Sequence, residues 1–185
     1  MARLPVPSID DLSADCRAMI DAAEAMMGFV ANDALMMSKN PALTKAFAGL
    51  VGAIYAPSEI EPGLKRLIGL VTSAASGCQY CVGHSAHASQ HNGIDEEKLA
   101  AVWQFESSSL YDDAERAALR VALHAGQTPN GVTDPMFADL ANYFSEDAQL
   151  EIVSVIALFG FLNRWNSTLA TDLESAPQGA LATIS

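Results

Sequence analysis

Gly77-Cys78-Gln79-Tyr80-Cys81-Val82-Gly83-His84-Ser85-Ala86-His87 ends one helical pattern and opens another. Gly77 interrupts the apolar periodicity before it, and a helix is predicted from Cys78 to about Asn92-Gly93, where the glycine supplies a left-handed C-terminal position. Two thiols three positions apart lie one helical turn apart, so they can close and reopen a disulfide. His84 and Ser85 stand at i+3 and i+4 from Cys81, on the same face. A histidine there is a candidate to move a proton to or from that sulfur. Helix N-terminal amides favour thiolate. That argument alone favours Cys78, the more terminal thiol, whereas the neighbouring His84 favours Cys81.

Outward from this stretch the chain reads as helix throughout. Ala, Leu, Met and Glu dominate, and no run alternates long enough to make a good strand. Ser13 caps a helix to about Phe29. Asn32 or Asp33 starts a short one, and Pro41 opens the next, to about Tyr55. Ser58-Glu59-Ile60-Glu61 reads as a capping box opening a helix to about Ser76. Further helices are expected from Asp95, from Asp112 or Asp113, from Thr133 to Phe144, and from Ser145 to about Leu173. The organisation expected is an N-terminal helical extension over 1–35, a helical domain over 36–174 and a flexible tail over 175–185.

The chain has 185 residues, half of them hydrophobic, which suits one compact domain with a sizeable core. Its net charge of −12, from 22 acidic and 10 basic side chains, disfavours nucleic acid and anionic membrane surfaces as partners. The longest apolar run, Ile152 to Leu162, is far short of the ~20 residues of a membrane helix. The start lacks the apolar stretch of a signal peptide. With three cysteines and no export signal, the expectation is a reducing cytoplasm, where Cys-x-x-Cys signals redox or metal chemistry.

Zinc would need Cys78, Cys81, His84 and His87 on one ion. Spread along one helix, these four span about 13 Å and fan through about 180°. A tetrahedral ion needs every ligand within roughly 2.0–2.3 Å, so neither a metal nor another cofactor is expected. Cys16, with no charged or thiol neighbour in sequence, reads as a small buried hydrophobe. Trp165 with Asn163 and Arg164 reads as lining for a subunit contact.

The residues from Leu64 to about Ala125 resemble the carboxymuconolactone decarboxylase and alkylhydroperoxidase D (AhpD) superfamily. The likeness rests on Leu64-Lys65-Arg66-Leu67-Ile68, on Ala74-Ala75-Ser76-Gly77-Cys78-Gln79-Tyr80-Cys81 with the histidine that follows, and on Gly93-Ile94-Asp95-Glu96-Glu97-Lys98-Leu99. Asp113-Ala114-Glu115-Arg116-Ala117-Ala118-Leu119 and Asn163-Arg164-Trp165-Asn166 are similar to its peroxidase-related branch. The resemblance implies an all-α AhpD-like helical bundle that assembles into homo-oligomers, trimers or hexamers. It implies a thiol-dependent hydroperoxide reductase in which Cys81 attacks the peroxide and Cys78 resolves the sulfenic acid to a disulfide. The partners implied are a small hydroperoxide and a dithiol reductant protein. We assign Cys81 as the attacking thiol, because a base within reach adds activation that the helix dipole alone does not.

The family's relay pairs a histidine with a glutamate. The glutamate position, twelve residues before Cys78, holds Arg66, and position 85, where the histidine often stands, is Ser. The catalytic set expected is Cys81, Cys78 and His84, with Tyr80, Ser85, His87 and Arg66 around it. Guanidinium cannot accept a proton, but it can stabilise a thiolate directly. Two alternatives follow: a decarboxylase of the carboxymuconolactone type, and a non-enzymatic redox sensor.

Overall fold

The computed structural model describes residues 2–184. Among them are ten α-helices: α1 (Ala14–Met27), α2 (Asn32–Met37), α3 (Pro41–Ile54), α4 (Pro62–Ala75), α5 (Gln79–His91), α6 (Glu96–Ala100), α7 (Asp113–Ala125), α8 (Asp134–Leu140), α9 (Glu146–Leu169) and α10 (Ser175–Ala180). The all-α bundle expected from the sequence is what the chain forms. No helix among the described residues is long and apolar enough to cross a membrane.

α4 is the axis of the core. It packs against α5, α7 and α9, so Leu67, Ile68, Leu70 and Val71 are all but fully buried. Each contributes about 1.5–3 kcal/mol by leaving water. Its buried Lys65 donates from Nζ to the carbonyls of Ile54 (2.9 Å) and Ala56 (3.1 Å) and pairs with Glu151 of α9. These partners satisfy a cation that burial would otherwise penalise.

Most helix ends lie where the sequence puts them. Ser13, Asn40, Asp112 and Ser145 each accept a backbone N–H at a helix start. Ser58 does not, because α4 begins at Pro62 rather than at the box. A helix opening at Ser58 would place Pro62 where the first intrahelical N–H is needed, and proline has none. Pro62 sits in the first turn instead.

The C-terminal segment departs most from expectation. α9 stops at Leu169, and Ala170 turns the chain with φ 51°. Residues 175–184 then form α10 and a 3-10 turn, Leu181–Ile184. Instead of fraying, they pack on α5, with Pro177, Ala180 and Ile184 buried. The Ile184 carbonyl accepts a 2.6 Å bond from Trp103 Nε1. Small side chains at every few positions let this segment lie close to α5. A Cβ on Gly83 would stand 3.0 Å from Leu173 and 3.2 Å from the Pro177 carbonyl.

Candidate active site

Gly77, at φ 73°, makes the left-handed turn between α4 and α5, a conformation that costs a residue with a Cβ. The Cys78 N–H donates to the Ser73 carbonyl at 3.0 Å. Cys78 is thereby the N-cap of α5, and its Sγ accepts the Cys81 N–H at 3.4 Å. The two sulfurs are 2.8 Å apart, both thiols are free, and both are buried, at 2% and 3% exposure.

The pair shares its protons unequally. Hydrogen bonding from the Cys81 thiol, helped by the Cys81 N–H and the Ser167 hydroxyl, outweighs burial and holds Cys78 down at about 7. Cys81 is pushed up by the same bond, by burial and by the charge of its neighbour, while Asn166 pulls the other way. Of the two, Cys78 is therefore the thiol that ionises more readily near neutral pH, while Cys81 keeps its proton.

A second cluster stands beside the thiols. His84 Nε2 lies 2.7 Å from Glu174 Oε2. The Tyr80 hydroxyl donates to Glu174 Oε1 at 2.8 Å and accepts the Asp33 N–H at 3.2 Å. The Asn32 N–H also donates to Glu174 Oε1, at 2.5 Å. Burial opposes ionisation of Glu174, but the His84 bond and charge and the Asn32 N–H outweigh it and hold the carboxyl below the usual range. Burial, with the charges of Asp33 and Glu174, drives the Tyr80 phenol far above its ordinary value, so it remains a donor. Tyr80 stacks on His84 with ring centroids 4.2 Å apart, and Phe29 meets His84 edge-on at 5.1 Å.

Asn166 of α9 closes the site. Its Nδ2 donates to Asp33 Oδ2 at 3.1 Å and to Cys81 Sγ at 3.5 Å.

The residues singled out in the sequence divide into two groups. Cys78, Cys81, Tyr80 and His84 come together. Nothing else from that set takes part: His87 Nε2 binds the Met27 carbonyl at 2.9 Å, and the Ser85 hydroxyl is buried without a partner. Arg66 lies with its guanidinium 3.9 Å from the centre of the Tyr55 ring. The charges acting on the two thiols come from the pair itself and Asp33, not from Arg66, so the expected thiolate-stabilising cation is displaced by contact with an aromatic face. His84 reaches toward Glu174 rather than Cys81.

Three site residues were not anticipated. Asp33 read only as a helix start, Asn166 only as the end of the Asn163-Arg164-Trp165-Asn166 stretch that carries the family resemblance, and Glu174 as the last residue before a loose tail. Asn163 and Asn166 did leave a trace, as amides at i,i+3 ending the apolar run of α9, where an unneeded polar group is costly.

Comparison with known proteins agrees with this architecture. Residues 41–124 match the carboxymuconolactone decarboxylase family. The structure superposes with TM-score 0.91 on the debrominase Bmp8, 36% identical, covering 98% of this chain and 96% of that one. The chain belongs to the carboxymuconolactone decarboxylase and AhpD superfamily. A Cys-to-Ala variant of Bmp8 in complex with 2,3,4-tribromopyrrole gives TM-score 0.92 at 36% identity, over 99% and 97% of the two chains. An AhpD-core, peroxidase-related protein from Ralstonia eutropha JMP134 shares the fold, with TM-score 0.84 at 24% identity over 95% and 94%. The uncharacterized protein YnjA of Escherichia coli K12 is 30% identical over 112 residues, 60% of this chain. The match spans 62% of YnjA, under two thirds of its length. Superfamily members and these neighbours include enzymes.

Proposed function

We propose that the protein is a dithiol reductase that passes two electrons from Cys78 and Cys81 to a small hydroperoxide. The observation that carries this is the 2.8 Å thiol pair with Cys78 held at about 7, which supplies a thiolate at neutral pH. The Cys78 thiolate attacks the terminal peroxide oxygen, the O–O bond breaks and alkoxide leaves. The His84–Glu174 pair supplies the proton that makes it an alcohol. Cys81 then attacks the Cys78 sulfenic acid, the S–O bond breaks, and water leaves with the Cys81 proton. The sum is ROOH plus two thiols giving ROH, water and one disulfide. This order places Cys78 first, the reverse of the order the family resemblance implies, because Cys78 is the more readily ionised thiol. A dithiol reductant protein, a homo-oligomeric state and a cytoplasmic setting belong to the same reading. Hydroperoxide loss with a dithiol donor, followed by stopped flow, tests it. Turnover should vanish in Cys78→Ser and in Cys81→Ser; turnover unchanged in both ends the proposal.

A second reading takes a halogenated heteroaromatic as the acceptor. It is favoured by the 36% identity to the debrominase Bmp8 along almost the whole chain. The electrons are the same: aryl bromide plus two thiols give arene, bromide, a proton and one disulfide. Bromide release from 2,3,4-tribromopyrrole, compared with hydroperoxide loss under the same donor, decides between the acceptors.

A further inference from the structure

Asn166 and Asp33 have no part in the attack described above, yet they are built into the site. Asn166 is 2% exposed, and its one amide nitrogen serves both Asp33 Oδ2 (3.1 Å) and Cys81 Sγ (3.5 Å). A carboxylate only accepts hydrogen bonds. Asp33 therefore requires the NH₂ side of the Asn166 amide, and that choice aims the second N–H at sulfur. With the amide reversed, an oxygen would face Cys81 and repel a thiolate. Asp33 is held in turn by its backbone N–H, which donates to Tyr80 at 3.2 Å.

We propose that Asn166 is a catalytic donor for the second thiol, stabilising the Cys81 thiolate as it resolves Cys78, and that Asp33 is the positioning residue that fixes the Asn166 amide. The need arises from the first step. While Cys78 is a thiolate, the Cys81 proton has an acceptor 2.8 Å away. Once Cys78 is bonded to the acceptor's atom, that thiolate is gone and the negative charge of Asp33 opposes ionisation of Cys81. A donor aimed at Cys81 Sγ is then the group that lowers the barrier to its ionisation. Hydrogen bonds to charged groups are the stronger class. The inference rests on the Cys78-first order but not on the identity of the physiological acceptor.

The test uses methyl methanethiosulfonate on the full chain, so that it does not depend on hydroperoxide. The Cys78 thiolate takes the methylthio group and releases methanesulfinate. Cys81 then displaces methanethiol, leaving the Cys78–Cys81 disulfide. Quenched-flow mass spectrometry with peptide mapping follows the adduct, its location and its decay. In Asn166→Ala the adduct should form on Cys78 at the parental rate and decay on the order of 10- to 100-fold more slowly. Asn166→Asp should be slower still, since it sets an acceptor against sulfur. Asp33→Asn, isosteric and less exposed to misfolding, separates positioning from charge. If Asp33 acted by charge alone, its loss would speed the decay; fixing the amide predicts slower decay. Unchanged decay in Asn166→Ala, faster decay in Asp33→Asn, or an adduct forming first on Cys81 overturns the proposal. Intact resolution alongside absent hydroperoxide turnover would instead retire the peroxidase reading and leave this one standing.

Discussion

His84 on α5 meets Glu174, ninety residues later, with 2.7 Å between Nε2 and Oε2. Superfamily resemblance leads one to look for a carboxylate on α4, where this chain carries Arg66. The acidic partner comes instead from the segment after α9, folded back onto α5. On the proposed reading, the proton relay joins α5 in the middle of the chain to the segment that follows α9.

Replacing Glu174 with Gln keeps the shape and removes the charge that faces His84. Turnover should fall about 10- to 100-fold. The pH dependence of stability should change too. The Glu174 pKa is depressed in the folded state, so its stabilisation is complete above the usual glutamate value, about 4.3. It is lost as pH falls through the lower folded value. Acid unfolding followed by circular dichroism should show a weaker dependence below that range in Glu174→Gln, and an unchanged curve would contradict the pairing.

Alkylation of the reduced protein by iodoacetamide should titrate with a midpoint of about 7, with the label on Cys78. The Cys81 thiol is the main cause of that value, so Cys81→Ala should shift the midpoint upward, toward the ordinary thiol range of about 8.5. Peptide mapping that finds the first label on Cys81 would reverse the assignment.

Gly83 provides room for the chain that carries Glu174. In Gly83→Val, the added methyls meet Leu173 and the Pro177 carbonyl, which already lie 3.0–3.2 Å from an ideal Cβ. The C-terminal segment should lift, and turnover should fall as in Glu174→Gln while Cys78 keeps its alkylation midpoint. Faster hydrogen exchange over 171–184 would report the displacement.

Lys65 tests the core independently of the chemistry. Its side chain is 3% exposed and pairs with Glu151, itself 18% exposed. Lys65→Ala leaves that carboxylate, the buried Ile54 carbonyl and the part-buried Ala56 carbonyl without their donor. Urea unfolding should show a loss of about 3–5 kcal/mol, and pairing it with Glu151→Gln should recover part of the loss.

Much of this was legible from local signals. Gly77, Cys78 and the residues after them specify a left-handed turn, a cap and a helix through short-range sterics and hydrogen bonding. Pro41, Asp112 and Ser145 mark helix starts for the same reason. The capping box at Ser58 misled because a proline four residues on outweighs a side-chain cap. The tail misled because its residues are small and carry little periodicity. Its order comes from burial of Pro177, Ala180 and Ile184 against other helices, which no local pattern records.

The sequence by itself determined that the chain is all helix, and that Cys78, Cys81 and His84 share one helix whose N-terminus carries the thiols. These follow from hydrogen bonds and dihedrals within a few residues. Only the tertiary structure decided what surrounds them. Asp33, Asn166 and Glu174 come from α2, α9 and the segment before α10, and they meet because α9 packs on α4 and α5, α2 packs on α3, and the C-terminal segment folds back onto α5. That packing also turns Arg66 onto Tyr55 and His84 toward Glu174, since hydrogen-bond partners distant in sequence are chosen by the fold as a whole.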